Sequence, residues 1–462
     1  MKLTVLLKFF KGDLNPFDAS ALECALELGD EVTVVAMAPP SALPALEGLT
    51  RLGVRAILLS DALYAGSDTL ATSYVLSEAL RRIEPDAVFA GRQSVDGDTG
   101  QVPPMLAERL GWGLVRSVMK QEGRVLTTRT GESFAVEKGN IYTFEKFACL
   151  RFPSIFSRAG KVEIWDNSVL SLCRDLVGQR GSPTKVVRSY ESTVGKRSCR
   201  IIAPEELPFV IERSAKKRRS RDRELIPEDE RIPLVYYLGD IGEELEPFAA
   251  DTVRLGIPSS SAELSSTVES FGSAVVLFED SPELAELAAR CAVTVGAGIC
   301  ADCISFRYEE DRVILTRPAL GGNVTADIEC KERFTFATVR TARGGSSPLV
   351  IGVGRGAVER KEKLREIAAL MGAELAATRS VVDSGEMPYS AQVGLTGRVI
   401  APDVYLAIGI SGAVQHTCAI AESGTVIAVN NDKNARIFDY ADYGVVADTE
   451  TIERILRKHY AG

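Results

Sequence analysis

One pattern constrains the fold of this chain more than any other. Short apolar runs alternate with stretches whose apolar residues recur at helical spacing. Near the N-terminus, KLTVLLKF and EVTVVAMA read as buried strands, with the helical ASALECALELG between them. RAILLSD, the helix TLATSYVLSEALRRI and the strand DAVFAG follow. The alternation returns near the C-terminus, where LVIGVGRG, ELAATRS, VYLAIGI, TVIAVN and GVVAD are separated by segments such as AVERKEKLREIAALMG. Strands joined by helices build parallel sheets, so the chain is expected to be an α/β protein.

The 462 residues suffice for two to four domains, each with its own core. No apolar run approaches the ~18 residues that would cross a bilayer, and MKLTVLLKFFKGD reads as a first strand rather than a signal peptide. A net charge of −9 argues against nucleic acid as the main partner. Nine cysteines, scattered and odd in number, do not suggest a disulfide framework, and a reducing cytoplasm is the expected home. Cys300 and Cys303 form a C-x-x-C with apolar flanks and no matching second pair, so they are expected to be two small buried residues.

A weak internal repeat is visible. AERLGWGLVRSVMKQEGRVLTTR and AARCAVTVGAGICADCISFRYEEDRVILTR each run from a helix through a glycine turn and a strand into R-V-x-x-T-R, ending at Arg129 and Arg317. Two domains of similar fold would produce it. Between them ERSAKKRRSRDRELIPEDERIP is charged and poor in apolar residues, which reads as a solvated linker. ARGGSSP, residues 342–348, is a second joint.

Several stretches could carry chemistry. In VYLAIGISGAVQHTCAI a strand enters Gly409, Ser411, Gly412 and Ala413 before a helical pattern. That order aims backbone N–H groups at an anion, and it also suits a tight packing turn. Asn430 and Asp448 follow the ends of later strands, where open α/β sheets bind ligands, although either could simply make a local turn. Arg355, Thr378, Arg379, Gln392, Gly394 and Thr396 make a donor-rich setting suited to a pyrophosphate and a ring that becomes anionic on reduction. In GRQSVDGDTGQVPPMLAERLG, the residues Asp96, Asp98, Thr99, Gly100 and Gln101 form a polar turn before a helix, resembling a second phosphate cradle. No Ser–His–Asp set, H-E-x-x-H or Walker loop is visible.

These stretches together resemble the electron transfer flavoprotein family. GISGAVQH, AVNNDKNARIF and ADYGVVAD are similar to the flavin domain of its α subunit, and RPALGGNVTADIECKERFTFATVR to the end of that subunit's first domain. NPFDASALECALEL, RAILLSDALYAGSDTLATSY, GRQSVDGDTGQVPPMLAERLG and GSPTKVV are similar to the β subunit. The resemblance implies both subunits fused in one chain, β half first. It gives a β-like domain over 1–195, a charged linker over 196–231, an α first domain over 232–343 and an FAD-binding domain over 344–462. The implied fold is two similar parallel-sheet nucleotide-binding-like domains plus a C-terminal Rossmann-like FAD-binding domain.

By position in the family, Arg379 would lie against the isoalloxazine ring, Thr396 near its N5 and His416 on its pyrimidine side, as a donor steadying negative charge. Gln392, Val393, Gly394, Arg355, Thr378 and Gln415 would line the pocket. Gly409 and the Ser411–Ala413 turn would hold pyrophosphate, with Asn430 and Asp448 at the adenosine end. The β half would hold AMP or a second FAD against Asn15, Asp96, Asp98, Thr99, Gly100, Gln101 and Val102.

Three departures stand out. The usual hairpin between the first strand and Asn15 is missing from FKGDLNPF, the docking loop is cut to FPSIFSRAGKVEIWD, and the α first domain is abbreviated. The implied function is a cytoplasmic FAD electron carrier between a dehydrogenase-type donor and a redox acceptor, neither membrane-spanning nor nucleic-acid-binding. Alternatives are an enzyme that oxidises NADH at a second FAD and bifurcates the electrons, and a nucleotide-binding protein without redox function.

Overall fold

The computed structural model of the chain describes all residues except 30, 193–194, 217–225, 342–346, 396 and 462. Most of the second joint, part of the charged linker and Thr396 therefore lie outside the described residues. The chain divides into two compact units. One holds Met1–Ser189, Leu225–Leu320 and Ala326–Val339; the other holds Tyr190–Glu224, Gly321–Thr325 and Arg340–Gly462.

The first unit begins with β1 (Lys2–Leu7), α1 (Pro16–Leu28), β2 (Glu31–Met37), α2 (Leu43–Thr50), β3 (Arg55–Leu59), α3 (Thr69–Ile83) and β4 (Ala87–Gly91). It continues through α4 (Val102–Leu110), β5 (Gly113–Glu122), β6 (Val125–Thr128), β7 (Ser133–Ala135), β8 (Asn140–Phe144) and β9 (Val162–Trp165). The sheet order is β9-β3-β2-β1-β4-β8-β5-β6-β7. It is parallel from β9 to β5, with β6 and β7 antiparallel at the edge. Helices cover both faces, so the central strands β1 and β4 are apolar almost throughout. The hairpin expected to be missing after β1 survives in minimal form, Phe9–Phe10 pairing with Asp13–Leu14.

Strand order reverses between β1 and β4. There Asp18, in the first turn of α1, accepts the amides of Lys8 (2.7 Å) and Gly91 (3.0 Å), pinning both strand ends to one helix. A Cβ on Gly91 would stand 2.2 Å from the Asp18 carboxylate, so only glycine allows α1 to come this close.

A second sheet in the same unit repeats the plan. It uses β10 (Ile232–Leu238), β11 (Ala249–Arg254), α5 (Ser261–Ser270), β12 (Ala274–Glu279), α6 (Pro282–Val295) and β13 (Gly298–Cys303). The hairpin β14 (Ser305–Glu309) and β15 (Arg312–Ala319) follows, then β16 (Phe334–Val339). Its parallel order β11-β10-β12-β16-β13 matches β2-β1-β4-β8-β5.

The likeness extends to a defect. In β5 the bulge residue Ser117 has φ 56° and its amide is captured by the Thr143 hydroxyl on β8 (2.9 Å). In β13 Asp302 has φ 59° and its amide is captured by the Thr338 hydroxyl on β16 (2.7 Å). Such a bulge adds one residue and shifts the inward–outward alternation. This explains why both Cys300 and Cys303 are buried although they stand three apart, as the sequence led us to expect. Between the halves, Met105 of α4 enters the core formed by α6, and Arg116 pairs with Glu283 (3.0 Å) and Glu286 (3.2 Å).

The second unit carries β17 (Leu349–Val353), α7 (Lys361–Met371), β18 (Glu374–Thr378), α8 (Arg379–Asp383), β19 (Gln392–Val393) and β20 (Val404–Ile408). After these come α9 (Val414–Thr417), β21 (Thr425–Asn430), β22 (Tyr443–Val446) and α10 (Thr449–Tyr460). The parallel order β19-β18-β17-β20-β21-β22 is the 3-2-1-4-5-6 arrangement of a doubly wound dinucleotide fold.

One expectation needs correction here. Residues 196–216, assigned to a linker, belong to this unit. Arg200–Ile201 adds a seventh parallel strand beside β22, and the helix Leu207–Lys216 buries Leu207, Val210 and Ile211 in the core. Arg197 anchors the segment through Asp442 (2.6 Å) and the carbonyls of Ala421 (3.0 Å) and Ser423 (2.6 Å). Charge counting missed it because the apolar stripe of the helix is only one face wide.

The substitution Gly91→Ala should destabilise the first unit by about 1–3 kcal/mol through overpacking against Asp18. Chemical denaturation reads this directly; an unchanged midpoint would contradict the close approach of α1.

Candidate functional site

In a doubly wound sheet a crevice opens where the strand order reverses, here between the C-terminal ends of β17 and β20. The turn after β20 enters the left-handed region at Gly409 (φ 65°) and Gly412 (φ 86°). The turns after β17 and β20 interlock: Gly354 N–H donates to the Ile408 carbonyl (2.9 Å) and Gly356 N–H to the Gly409 carbonyl (3.1 Å). A Cβ on Gly409 would meet Ala357 N at 2.6 Å, and one on Gly412 would meet Ile437 N at 2.2 Å. The glycines are thus required by close packing, one of the two readings that the sequence left open.

The other reading keeps its own support. Among the described residues, the amides of Ile410, Ser411, Gly412 and Ala413 donate to no backbone or side-chain acceptor. Four consecutive open amides at a strand end form a ready anion cradle. The helix that follows is only one turn long, so the cradle rests on these amides rather than on the longer helix the sequence suggested. Asn430 braces it from β21: its side-chain NH₂ donates to the Ile410 carbonyl (2.9 Å), while its oxygen accepts the Asp432 amide (2.9 Å).

The remaining expected residues all lie on the same C-terminal edge. Arg355 is exposed immediately after Gly354. The Thr378 hydroxyl meets that of Ser380 at 3.1 Å, and Arg379 begins α8, where its Nε pairs with Asp383 at 3.1 Å. Gln392 and Val393 are fully buried, and Gly394 has φ 155°. Gln415 is exposed, and its carbonyl accepts the Leu395 amide at 2.7 Å. Asp448 caps α10, accepting the Thr451 amide (2.7 Å) and hydroxyl (3.2 Å); these donors hold its carboxyl below the usual carboxylate range.

His416 departs from expectation. It was expected to donate to an anionic ring, but it points inward and is 5% exposed. Its Nδ1 lies 3.0 Å from the Val393 carbonyl and its Nε2 2.9 Å from the Tyr405 hydroxyl. A carbonyl only accepts, so Nδ1 carries the proton and Nε2 accepts from Tyr405. Burial pushes the imidazole down to about 4, against the Val393 bond that favours the charged form. His416 is therefore neutral, both nitrogens are satisfied, and it ties β20 to the turn after β19. Tyr405, which sequence reasoning missed, fits because Gly352 leaves room: a Cβ there would lie 1.9 Å from the hydroxyl.

The first unit has its own cavity, about 870 Å³, at the β1/β4 switch point. Of the residues expected there, Asn15, Thr99, Gly100, Gln101 and Val102 line it, and Asp96 and Asp98 stand in the same loop. Asn15 and Gln101 are 2% and 4% exposed, yet Asn15 Oδ1, Gln101 Nε2 and Asp96 Oδ1 are buried with no partner among the described residues. Unpaired buried polar atoms cost stability, and Asn15 and Gln101 line space for a ligand with its own donors and acceptors. Burial works against ionisation of Asp96, but the Lys8 ammonium 2.9 Å away and nearby donors hold it below the usual range.

Sequence reasoning missed Lys8, Asp18 and Arg92, which also line the cavity. The available signal was their position, directly after β1, in the first turn of α1 and directly after β4. Burial pushes Asp18 up to about 7, against the donors Lys8 N, Asn15 and Gly91 N.

Fold and crevices together define a nucleotide-binding α/β protein with a dinucleotide-type second unit. Comparison with known proteins narrows this. The electron transfer flavoprotein domain matches residues 5–139, on the first sheet, and 260–363, from α5 of the second sheet into the start of the second unit, and the electron transfer flavoprotein FAD-binding domain matches residues 345–421. The chain belongs to the electron transfer flavoprotein family and contains its FAD-binding domain.

The electron transfer flavoprotein subunit beta of Clostridium acetobutylicum is 36% identical over 198 residues, 39% of this chain and 76% of that protein. The mitochondrial subunit alpha of Oryza sativa subsp. indica is 43% identical over 116 residues, 24% of this chain and 32% of that protein. The subunit alpha of Thermoanaerobacterium thermosaccharolyticum is 32% identical over 209 residues, 35% of this chain and 63% of that protein. The chain thus spans less than two thirds of these two α relatives. Among the described residues, no helix is long and apolar enough to cross a membrane.

Two outcomes follow. With only two histidines in the chain, proton NMR can follow the His416 ring, which should stay neutral from pH 8 down to about 5; titration near 6.5 would contradict the buried pairing. Because its folded pKa lies below the ordinary value, stability present above pH 6.5 is lost as pH falls towards 4. Tyr405→Phe strands the buried Nε2 and should cost about 1–3 kcal/mol in urea unfolding, with no loss meaning that the bond is absent.

Proposed function

We propose that this chain is an FAD-dependent electron carrier in which β-type and α-type parts of the family are joined, β part first. The observation that carries the reading is the row of open amides, Ile410–Ala413, at the β17/β20 switch point of a domain whose family binds FAD. The cradle would hold the pyrophosphate, with Asn430 bracing it. Bound flavin would supply the redox chemistry; the chain's residues bind, orient and tune it.

Arg379, Arg355 and Thr378 would set the electrostatics around the ring, and Gln392, Val393 and Gly394 would shape its pocket. Thr396 remains part of the reading. His416 serves as a positioning residue: as a neutral donor to Val393 it fixes the turn carrying Gly394. Asp383, 3.1 Å from Arg379, offsets part of that cation's field.

The donor and acceptor would be redox proteins. Phe152, Ile155 and Phe156 are 96%, 85% and 87% exposed, between Arg151 and Arg158, and offer an apolar anchor with a cationic rim despite the shortened loop. Nine free thiols suit a reducing compartment such as the cytoplasm. In the first unit the cavity would hold AMP or a second FAD. Its 870 Å³ lies near the top of the ~300–1,000 Å³ range of small-molecule sites. That roominess favours the second reading, a bifurcating enzyme oxidising NADH at a second flavin.

Purification followed by nucleotide extraction decides among these. The carrier yields one FAD and one AMP per chain, the bifurcating enzyme yields two FAD, and a colourless protein that takes up no flavin refutes both. The substitution Arg379→Ala removes one charged contact of ~1.5–3 kcal/mol. It should lower the flavin's one-electron potential by on the order of 60–130 mV; an unchanged potential would remove Arg379 from the tuning set.

A further inference from the structure

The cavity of the first unit is bounded on one side by the loop 93–101, which looks unsuited to an anion. It carries Asp96 and Asp98, and it is conformationally strained: Asp98, a non-glycine residue, has φ 50°, and Gly100 has φ 64°. Internal contacts support it only in part. Asp98 N–H donates to the Ser94 carbonyl (2.9 Å), Gln93 Nε2 donates to the Asp98 carboxylate (2.9 Å), and Lys8 pairs with Asp96 (2.9 Å).

The other support comes from the hairpin β14–β15 of the same unit, 220 residues away in sequence. Arg317 on β15 is 6% exposed and donates Nη1 to the Gly97 carbonyl (2.6 Å) and Nη2 to the Asp98 carbonyl (3.4 Å). Three residues further on, the Leu320 amide donates to the Asp96 carbonyl (3.2 Å). Three successive loop carbonyls are thereby held from one strand end. The repeat partner of Arg317 behaves differently: Arg129 pairs with the buried carboxylate Glu145 at 3.1 Å. Arg317 directs its guanidinium at backbone carbonyls, and among the described residues it pairs with no carboxylate.

We infer that Arg317 is a positioning residue for this cavity, fixing the loop that presents Thr99, Gly100 and Gln101 and offsetting Asp96 and Asp98 so that an adenine nucleotide's phosphate can enter. The inference rests on the reading of the cavity as a nucleotide site. It also means that the cavity, although lined by the first sheet, reaches its binding form only when the hairpin β14–β15 is folded against it.

The test uses the full chain with its flavin bound. AMP and adenosine are titrated by equilibrium dialysis into wild type, Arg317→Met and Arg317→Lys, with far-ultraviolet circular dichroism and flavin content as controls. Arg317→Met should weaken AMP by about tenfold or more, the loss of a charged contact, and adenosine by clearly less. Arg317→Lys keeps the charge but cannot bridge both carbonyls; it should weaken both ligands alike and preserve the preference for AMP. A purely structural role would shift both ligands equally in both variants. If Arg317→Met does not fold, Arg317→Gln, which keeps a donor for the carbonyls but no charge, takes its place: a larger loss for AMP than for adenosine upholds the inference, and equal losses or wild-type AMP binding overturn it. A folded Met variant that binds AMP as wild type does also overturns it. A wild type that takes neither AMP nor FAD at this cavity overturns the nucleotide reading itself, and the inference with it.

Discussion

Among the described residues, the four backbone amides that follow Gly409 at the end of β20 find no acceptor, and that constraint organises the second unit. A strand in the middle of a parallel sheet is satisfied along its length by its neighbours. Where the strand order reverses, the chains leaving β17 and β20 part, and the amides that follow must find another acceptor. Gly409 lets the two exits interlock so tightly that no side chain could fit, and Gly412 packs as closely on Arg436 and Ile437 beyond β21. Asn430 holds one carbonyl of the same turn, and the buried pair Tyr405–His416 ties β20 to the turn after β19. The polar cradle is thus precise because the apolar packing beneath it is.

The first unit meets the same topological constraint with different chemistry. At its β1/β4 switch point the two exposed strand-end amides are taken up internally by Asp18, so no backbone cradle forms there. Side chains line the cavity there instead: Asn15 and Gln101 with unmet hydrogen-bonding capacity, and Lys8 and Arg92 with charge. The companion sheet has the same strand order and even the same hydroxyl-trapped bulge, which is the physical content of the repeat. Family membership, the duplicated sheets and the FAD-binding domain fit one description, a chain with two crevices built on one topological rule.

Much of this was legible in the sequence because strands buried on both faces leave uninterrupted apolar runs. The alternation located β1 to β4 in the first unit and β17, β18, β20, β21 and β22 in the second, and the glycines of GISGA marked the turn at the switch point. The R-V-x-x-T-R echo revealed the duplication, although not that the bulge at Asp302 is what brings Cys300 and Cys303 to one side. Partnerships were the illegible part. Nothing in sequence spacing says that His416 faces Tyr405, eleven residues earlier and across a strand end, so a rare histidine beside a ligand turn looked like a ligand group. The helix Leu207–Lys216 was hidden because the basic run that follows it dominated the composition. Asp18 was hidden because a carboxylate in the first turn of a helix usually does no more than complement the helix dipole.

The central claim is that the amides of Ile410–Ala413 receive the pyrophosphate of FAD. Hydrogen exchange of the peptide spanning residues 409–416, followed by mass spectrometry, tests it most directly when flavin-free protein is given either FAD or riboflavin, which has the ring but no phosphates. The account predicts strong slowing of exchange in this peptide with FAD and little with riboflavin at matched occupancy. Equal protection by both, or none by either, would contradict it.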